Sequence, residues 1–306
     1  MLDAVVMHGL VQRNYHEAGV IDEPVSIIVP AFNEADSIGH VLDTIIQCMS
    51  KNGTDYELIV VDDGSADDTA EMVQAKGVRL IRHRVNQGYG AALKTGIRQS
   101  RFPLLAIIDS DGTYPVDALP QLLAHMHEYD MAVGARTGEH VKIPFLRRPA
   151  KWFLKKLADY LSGCDIPDLN SGLRVFRREL AERFFSIFPE GFSFTTTITL
   201  AALTNGYRVK FLPINYYKRT GQSSIKPIRD FLGFLLLVIR LVVYFKPLNV
   251  FLPMSGGLLV VGLTKAAIDF LHQNYFGIGA AIVTLSALQV ACLGLLADMI
   301  LRRTRL

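Results

Sequence analysis

Four short apolar runs alternate with helix-like stretches through the first third of the chain, and this alternation narrows the fold more than any other feature. Val25–Val29, Tyr56–Val61, Val78–Ile81 and Leu104–Ile108 are predicted strands, because short Val/Ile-rich runs bounded by turn residues suit a buried sheet. Helical patterns fill the gaps. Asn33–Ser37 starts one that reaches about Met49, with Ile38, Val41, Leu42, Ile45 and Ile46 on one face. Asp67 or Asp68 caps a second that runs to about Ala75, and Gly88 to Ser100 forms a loop and a third helix. A helix near Pro120–Glu128, a strand at Asp130–Gly134 and a last strand at Gly206–Leu212 continue the pattern. Strands alternating with helices at this spacing imply βαβ units and a mainly parallel α/β sheet.

Three of these strands end in carboxylates. Glu34 follows the first, Asp62 and Asp63 the second, Asp109 and Asp111 the fourth. Ligands of open α/β sheets bind just beyond the carboxyl ends of the strands. Two carboxylates there suit a hard divalent cation, which bridges the phosphates of a nucleotide. The earlier acids suit base N–H and ribose hydroxyl donors, and helix N-capping is the plainer role for each taken alone. Gly88–Thr95 nearly matches two phosphate-binding patterns, but Leu93 stands where both need glycine. What remains is a glycine-rich helix start that lets the backbone approach a nucleotide, with Lys94 either on a phosphate or exposed.

A basic stretch, Lys142, Arg147, Arg148, Lys151, Lys155 and Lys156, precedes Asp168–Arg174. With Arg219 and Lys226 it suits anionic headgroups or a lipid phosphate. Composition then changes at about residue 227. Phe231–Ile239 is apolar apart from Gly233 and too short to span a bilayer, so 227–246 is expected as an amphipathic helix at the membrane surface. Two longer apolar stretches, about 249–271 and 277–301, are each long enough to cross. The tail Leu301–Leu306 carries three arginines and the loop His272–Phe276 carries no Lys or Arg, which puts the tail and the large domain in the cytosol. Lys265 and Asp269, four apart in the first span, either pair on one face or mark a helix–helix contact.

The expected domains are therefore 1–226, 227–246 and 247–306. A net charge of +3 is too small to suggest nucleic acid as a partner. The three cysteines lack metal-ligand spacing and suit reduced thiols facing the cytosol. The start of the chain lacks the charged, apolar and small-residue succession of a cleaved signal.

Taken together, Val29–Glu34, Val61–Ser65, Asn86–Ala91, Asp109–Asp111, Gly134–Arg136, Ser171–Arg174 and Arg219–Ser223 resemble family 2 glycosyltransferases of the GT-A fold. The resemblance is to polyprenyl-phosphate glycosyltransferases, such as dolichyl-phosphate mannose synthase and bacterial undecaprenyl-phosphate sugar transferases. It implies a GT-A Rossmann-like sheet followed by a juxtamembrane helix and a transmembrane hairpin. It implies a nucleotide pocket lined by Pro30, Ala31, Glu34 and Asp62, and Mg²⁺ or Mn²⁺ held by Asp109 and Asp111. Asn33, Asp63, Gly88, Lys94 and Ser110 complete the expected donor side. Arg136, Arg147 or Arg148, Arg174 and Arg219 are expected on the acceptor phosphate or leaving diphosphate, with Ser171 and Lys226 beside them. Two positions depart from the mannose synthases: Thr113 replaces a glutamine after the acidic pair, and Gly221–Ser224 lacks the usual lysine, displaced to Lys226. The implied partners are a nucleotide sugar, a polyprenyl phosphate, the membrane and other copies of the chain. A polysaccharide synthase is the runner-up, but its Gln-x-x-Arg-Trp motif is absent, since the only tryptophan, Trp152, follows Arg148-Pro-Ala-Lys. A membrane-tethered binding module is the third reading.

Overall fold

The computed structural model describes residues 23–137, 163–191, 193–217, 247–273 and 277–304, together with positions 156, 159, 243, 244 and 275. Arg147, Arg148, Arg219, Lys226 and nearly all of the expected juxtamembrane helix at 227–246 lie outside the described residues.

Seven strands form one sheet: β1 (Val25–Ala31), β2 (Tyr56–Asp62), β3 (Arg79–Arg82), β4 (Leu104–Ile107), β5 (Met131–Ala135), β6 (Arg174–Arg177) and β7 (Val209–Pro213). Their order is β3-β2-β1-β4-β6-β5-β7. The β1–β2, β1–β4, β2–β3 and β5–β7 pairs are parallel, whereas β6 runs antiparallel to both β4 and β5. Side chains of β1 alternate: Ile28 enters one core, and Val25, Ile27 and Val29 the other, as the two-residue period of a strand requires. Helices α1 (Ala35–Asn52), α2 (Thr69–Ala75) and α4 (Ala118–Ala124) cover the second face. Helices α3 (Tyr89–Gln99), α5 (Arg178–Arg183) and α6 (Phe194–Thr204) cover the first. Each fully buried Leu or Ile in these two layers contributes roughly 1.5–3 kcal/mol relative to exposure.

Several elements differ from expectation. Strand β6 begins at the last residue of the Asp168–Arg174 motif, where the pattern predicts no strand. The helix expected near Pro120–Glu128 begins earlier, at Ala118, and the last strand begins later, at Val209. Helix α6 was not anticipated at all. Phe194 through Ala202 are all buried, so it carries no polar face to set a helical period, and its threonines are poor helix formers.

The chain closes with α7 (Leu248–Gln273) and α8 (Ile278–Thr304). Small residues let the pair pack closely. A Cβ on Gly262 would meet Thr284 backbone N at 3.0 Å, and Ser255 Oγ donates to Ala287 O at 2.9 Å. The outward faces stay apolar, with Val260 64%, Leu271 80% and Leu288 62% exposed. Only 11% and 17% of the apolar windows are buried inside the protein, so a hairpin hidden in a soluble core does not describe them. Lys265 Nζ lies 3.1 Å from Asp269 Oδ1, and both also meet α8 or its approach: Gly277 packs on Asp269 and Gly279 on Lys265. The pair is thus both an ion pair and a helix–helix contact. Val250, in the first turn of α7, packs against the core under α3 and α6.

Candidate active site

The carboxyl ends of β1, β2 and β4 converge. Register sets Pro30 abreast of Val61 and Ala31 abreast of Asp62. Beyond them, two loops are stitched together. Asn33, the one non-glycine residue at positive φ (54°) among the described residues, accepts from Ala66 N through Oδ1, and its own N–H donates to Ser65 Oγ, both at 2.9 Å. Glu34 N–H donates to Thr69 Oγ1 at 2.9 Å and Ala35 N–H to Asp67 Oδ2 at 3.2 Å. The Asn33 side-chain oxygen therefore serves loop closure. Glu34 makes no side-chain cap on α1. Its Oε2 instead lies 3.1 Å from Ser37 Oγ, which reaches Ser110 O at 2.9 Å and so joins the start of α1 to the end of β4. Ser110 takes part through that carbonyl.

The two neighbouring acids of β2 meet different fates. Asp62 is wholly buried; its Oδ1 accepts from Ser65 N–H at 2.9 Å. The Arg82 guanidinium stands 3.0 Å from Oδ2 but at an angle that makes no hydrogen bond. That oxygen is an acceptor with charge compensation and no donor among the described residues. Asp63 is used up: Oδ1 accepts from Gln87 N–H at 2.9 Å and meets His83 Nδ1 at 2.7 Å, while Oδ2 accepts from Gly88 N–H at 2.7 Å. It holds the loop before α3. His83 Nε2 continues to Thr95 Oγ1 on α3 at 2.9 Å.

The backbones of Gly88 and Gly90 approach the chain's own Pro189–Gly191: a Cβ on Gly88 would sit 2.6 Å from Glu190 O, with φ at 105°. Lys94 faces the same segment, donating to Phe188 O at 3.3 Å and lying 5.5 Å from the Phe185 ring.

Asp109 and Asp111 follow β4. Tyr89 OH donates to Asp109 Oδ1 at 2.8 Å. Any Cβ on Gly172 would collide with the Asp109 carboxylate, so only glycine fits there. Burial first, and the charge of Asp111 second, push Asp109 up to about 6. Asp111 Oδ1 accepts from Thr113 N–H at 3.1 Å and Thr113 Oγ1 at 2.6 Å. Thr113 is wholly buried, so it braces Asp111 and does not add a third ligand. A cation fits this pair: two hard oxygen donors repel each other where the chain holds them together. Among the described residues no third His, Cys, Asp or Glu joins them, so the donor's phosphate oxygens would complete the shell.

The other side of the cleft is cationic but inward-looking. Arg136 donates to Asp168 through Nε at 2.7 Å, Nη2 at 2.8 Å and backbone N at 3.0 Å, and lies 5.2 Å from the Tyr216 ring. Burial acts to raise the Asp168 carboxyl, but the Arg136 hydrogen bonds and charge outweigh it and hold it below its usual value. Arg174 is fully buried, and burial pushes it down to about 10. It donates to Thr195 O at 2.9 Å, Thr199 Oγ1 at 3.0 Å and Ser171 O at 3.2 Å. Ser171, also buried, gives its hydroxyl to Gly134 O at 2.5 Å. The polar groups of Arg174 and Ser171 are thus turned to oxygens of the protein itself. Tyr89, His83 and Gly172 were not singled out from sequence. Tyr89 and Gly172 nevertheless sit inside motifs that the resemblance rests on, which was the available signal.

Residues 26–185 match the family described as Glycosyl transferase family 2. The chain belongs to glycosyl transferase family 2. A second match, to the GtrB C-terminal hairpin, covers residues 246–302. Among curated relatives of this glycosyltransferase, a dolichyl-phosphate hexose transferase of Haloferax volcanii is 28% identical over 67% of this chain and 88% of its own. An undecaprenyl-phosphate 4-deoxy-4-formamido-L-arabinose transferase of Klebsiella pneumoniae is 27% identical over 64% and 60%. Glucosyl-3-phosphoglycerate synthase of Mycobacterium tuberculosis, solved with Mn²⁺, UDP-glucose and phosphoglyceric acid, has a TM-score of 0.57 at 22% identity over 72% and 80%. That last likeness is one of fold alone.

Proposed function

We propose that this family 2 glycosyltransferase moves a sugar from a nucleotide-sugar donor, UDP- or GDP-linked, to a polyprenyl phosphate, using Mg²⁺ or Mn²⁺ and inverting the anomeric carbon. One observation carries the reading. A single chain joins an acidic pair at the carboxyl edge of its sheet to an apolar hairpin whose first turn, at Val250, packs on that sheet's core. The names of the Haloferax and Klebsiella relatives, each ending its donor's journey on a polyprenyl phosphate, support the acceptor class. The arginines of Leu301–Leu306 favour a cytosolic catalytic domain on an integral membrane protein, in a bacterial or archaeal plasma membrane.

Pro30 and Ala31 form the floor for the base, and Asp62 Oδ2 accepts a base N–H in place of the donor it lacks. Asp109 and Asp111 would hold a divalent cation that, when bound, supplies charge for the departing diphosphate. The acceptor is already anionic, so no strong general base is required; the residues' work is placement and charge compensation. Arg147, Arg148, Arg219 and Lys226 supply the positive charge for the acceptor phosphate, beside an Arg136 already paired with Asp168.

The test is radiolabelled sugar transfer in membranes that contain the protein. Label from one nucleotide sugar in a chloroform-extractable, mild-acid-labile lipid is the expected result. Label in polymer would favour a polysaccharide synthase instead. No label with any UDP- or GDP-sugar would overturn both in favour of a binding module.

A further inference from the structure

We infer that Tyr89, held in place by the Asp63–His83 clamp, is the positioning residue for Asp109, and so couples the nucleotide end of the cleft to its metal end. The inference rests on the proposed metal role of Asp109. The path is continuous. Thr95 Oγ1 meets His83 Nε2 at 2.9 Å, and His83 Nδ1 meets Asp63 Oδ1 at 2.7 Å. Asp63 then takes the N–H groups of Gln87 and Gly88 at 2.9 and 2.7 Å. Those are the two residues immediately before Tyr89, and Gly88 turns there at a φ of 105°.

On the other side of that turn, Ala91 N–H donates to Glu190 O at 3.0 Å. The start of α3 is therefore clamped from two directions, and the phenol that emerges from it reaches Asp109 Oδ1 at 2.8 Å. Gly172 closes the opposite flank, leaving no room for the carboxylate to swing that way. Asp109 thus has one oxygen held by the phenol. Hydrogen bonds that orient a metal ligand are worth about 10–100-fold in metal affinity. Asp63 has no oxygen without a donor of this kind, while its neighbour Asp62 has one, which is why the clamp is assigned to Asp63 and nucleotide contact to Asp62.

The experiment uses the full chain in detergent. Mn²⁺ binding is read from the EPR signal of the free ion, with excess UDP and again with GDP, and nucleotide binding is read separately by calorimetry in EDTA. Tyr89→Phe is expected to weaken Mn²⁺ about tenfold and leave metal-free nucleotide affinity within about twofold. His83→Ala should do the same to a smaller degree, and His83→Asn, which keeps a donor facing Asp63, should recover part of the loss. A generally destabilising effect would lower both affinities together and would not be rescued. Wild-type Mn²⁺ affinity in Tyr89→Phe overturns the inference. An Asp63→Asn variant that loses metal-free nucleotide binding but keeps Mn²⁺ overturns the clamp. Wild-type protein that binds no Mn²⁺ with either nucleotide sinks the metal role itself, and is distinguished because Asp111→Asn then changes nothing.

Discussion

The two halves of the sheet solve the problem of buried charge in opposite ways. On the β3-β2-β1-β4 side the carboxylates crowd toward the cleft, and Asp109 is held beside Asp111 at a cost in charge repulsion. On the β6-β5-β7 side two arginines are compensated from within the fold, Arg136 by Asp168 and Arg174 by carbonyl and hydroxyl oxygens of Ser171, Thr195 and Thr199. One half leaves like charges side by side; the other pairs these two arginines internally. The difference teaches that charge count alone does not locate chemistry. What matters is whether the partners are already in the fold.

The comparison breaks most visibly at Asp111. Asp111→Asn should cut sugar transfer by about a thousandfold, roughly 4 kcal/mol, with an unchanged circular dichroism spectrum and melting temperature within a few degrees. Full turnover at ordinary metal levels would refute its metal role. Asp168→Asn should instead cost about 3 kcal/mol of stability in chemical denaturation, because it strands the Arg136 guanidinium. Its pH dependence has a definite sign. The folded carboxyl is held below its unfolded value near 3.9, so its stabilisation is present above that value and is lost as pH falls through the depressed one.

Gly172→Ala sharpens the contrast at the seam between the halves. The added methyl has no space beside Asp109, and about 1–3 kcal/mol of strain should appear as a lowered melting temperature together with weakened Mn²⁺ binding. The smallest effect is also the most telling. Asp109→Asn should stabilise the metal-free protein at pH 7 by about 1–2 kcal/mol, since the wild-type carboxyl is pushed up to about 6 by burial and Asp111. A raised carboxyl costs stability above about 6, and the cost fades as pH falls toward its unfolded value. Calorimetry in EDTA should therefore find wild type gaining on Asp109→Asn between about pH 7 and pH 4.5.

Sequence made the half with the acidic pair legible because its strands are short, mainly Val/Ile/Leu runs bounded by turn residues. Leu104–Ile107 and Tyr56–Asp62 fall where the pattern puts them. It could not separate Asp62 from Asp63. Adjacent residues at a strand end point to opposite sides, and only the fold reveals which side is already full of N–H donors. The other half was illegible for a different reason. Strand β6 carries arginine at both ends, and a buried arginine on neutral oxygens has the same letter as one that grips a phosphate. Helix α6 hides every residue from Phe194 to Ala202, so no amphipathic period announces it.

Strand β6 runs against its neighbours, and this inverts which end of it arrives at the catalytic edge. A parallel strand would deliver the connection that leaves it; β6 delivers the connection that enters it, which spans residues 136–173. The segment that carries the basic residues therefore opens onto the cleft through its final turn, at Ser171 and Gly172. An enzyme wired this way can change the connection that enters β6 while β1 to β4, ordered before it in the chain, keep their register.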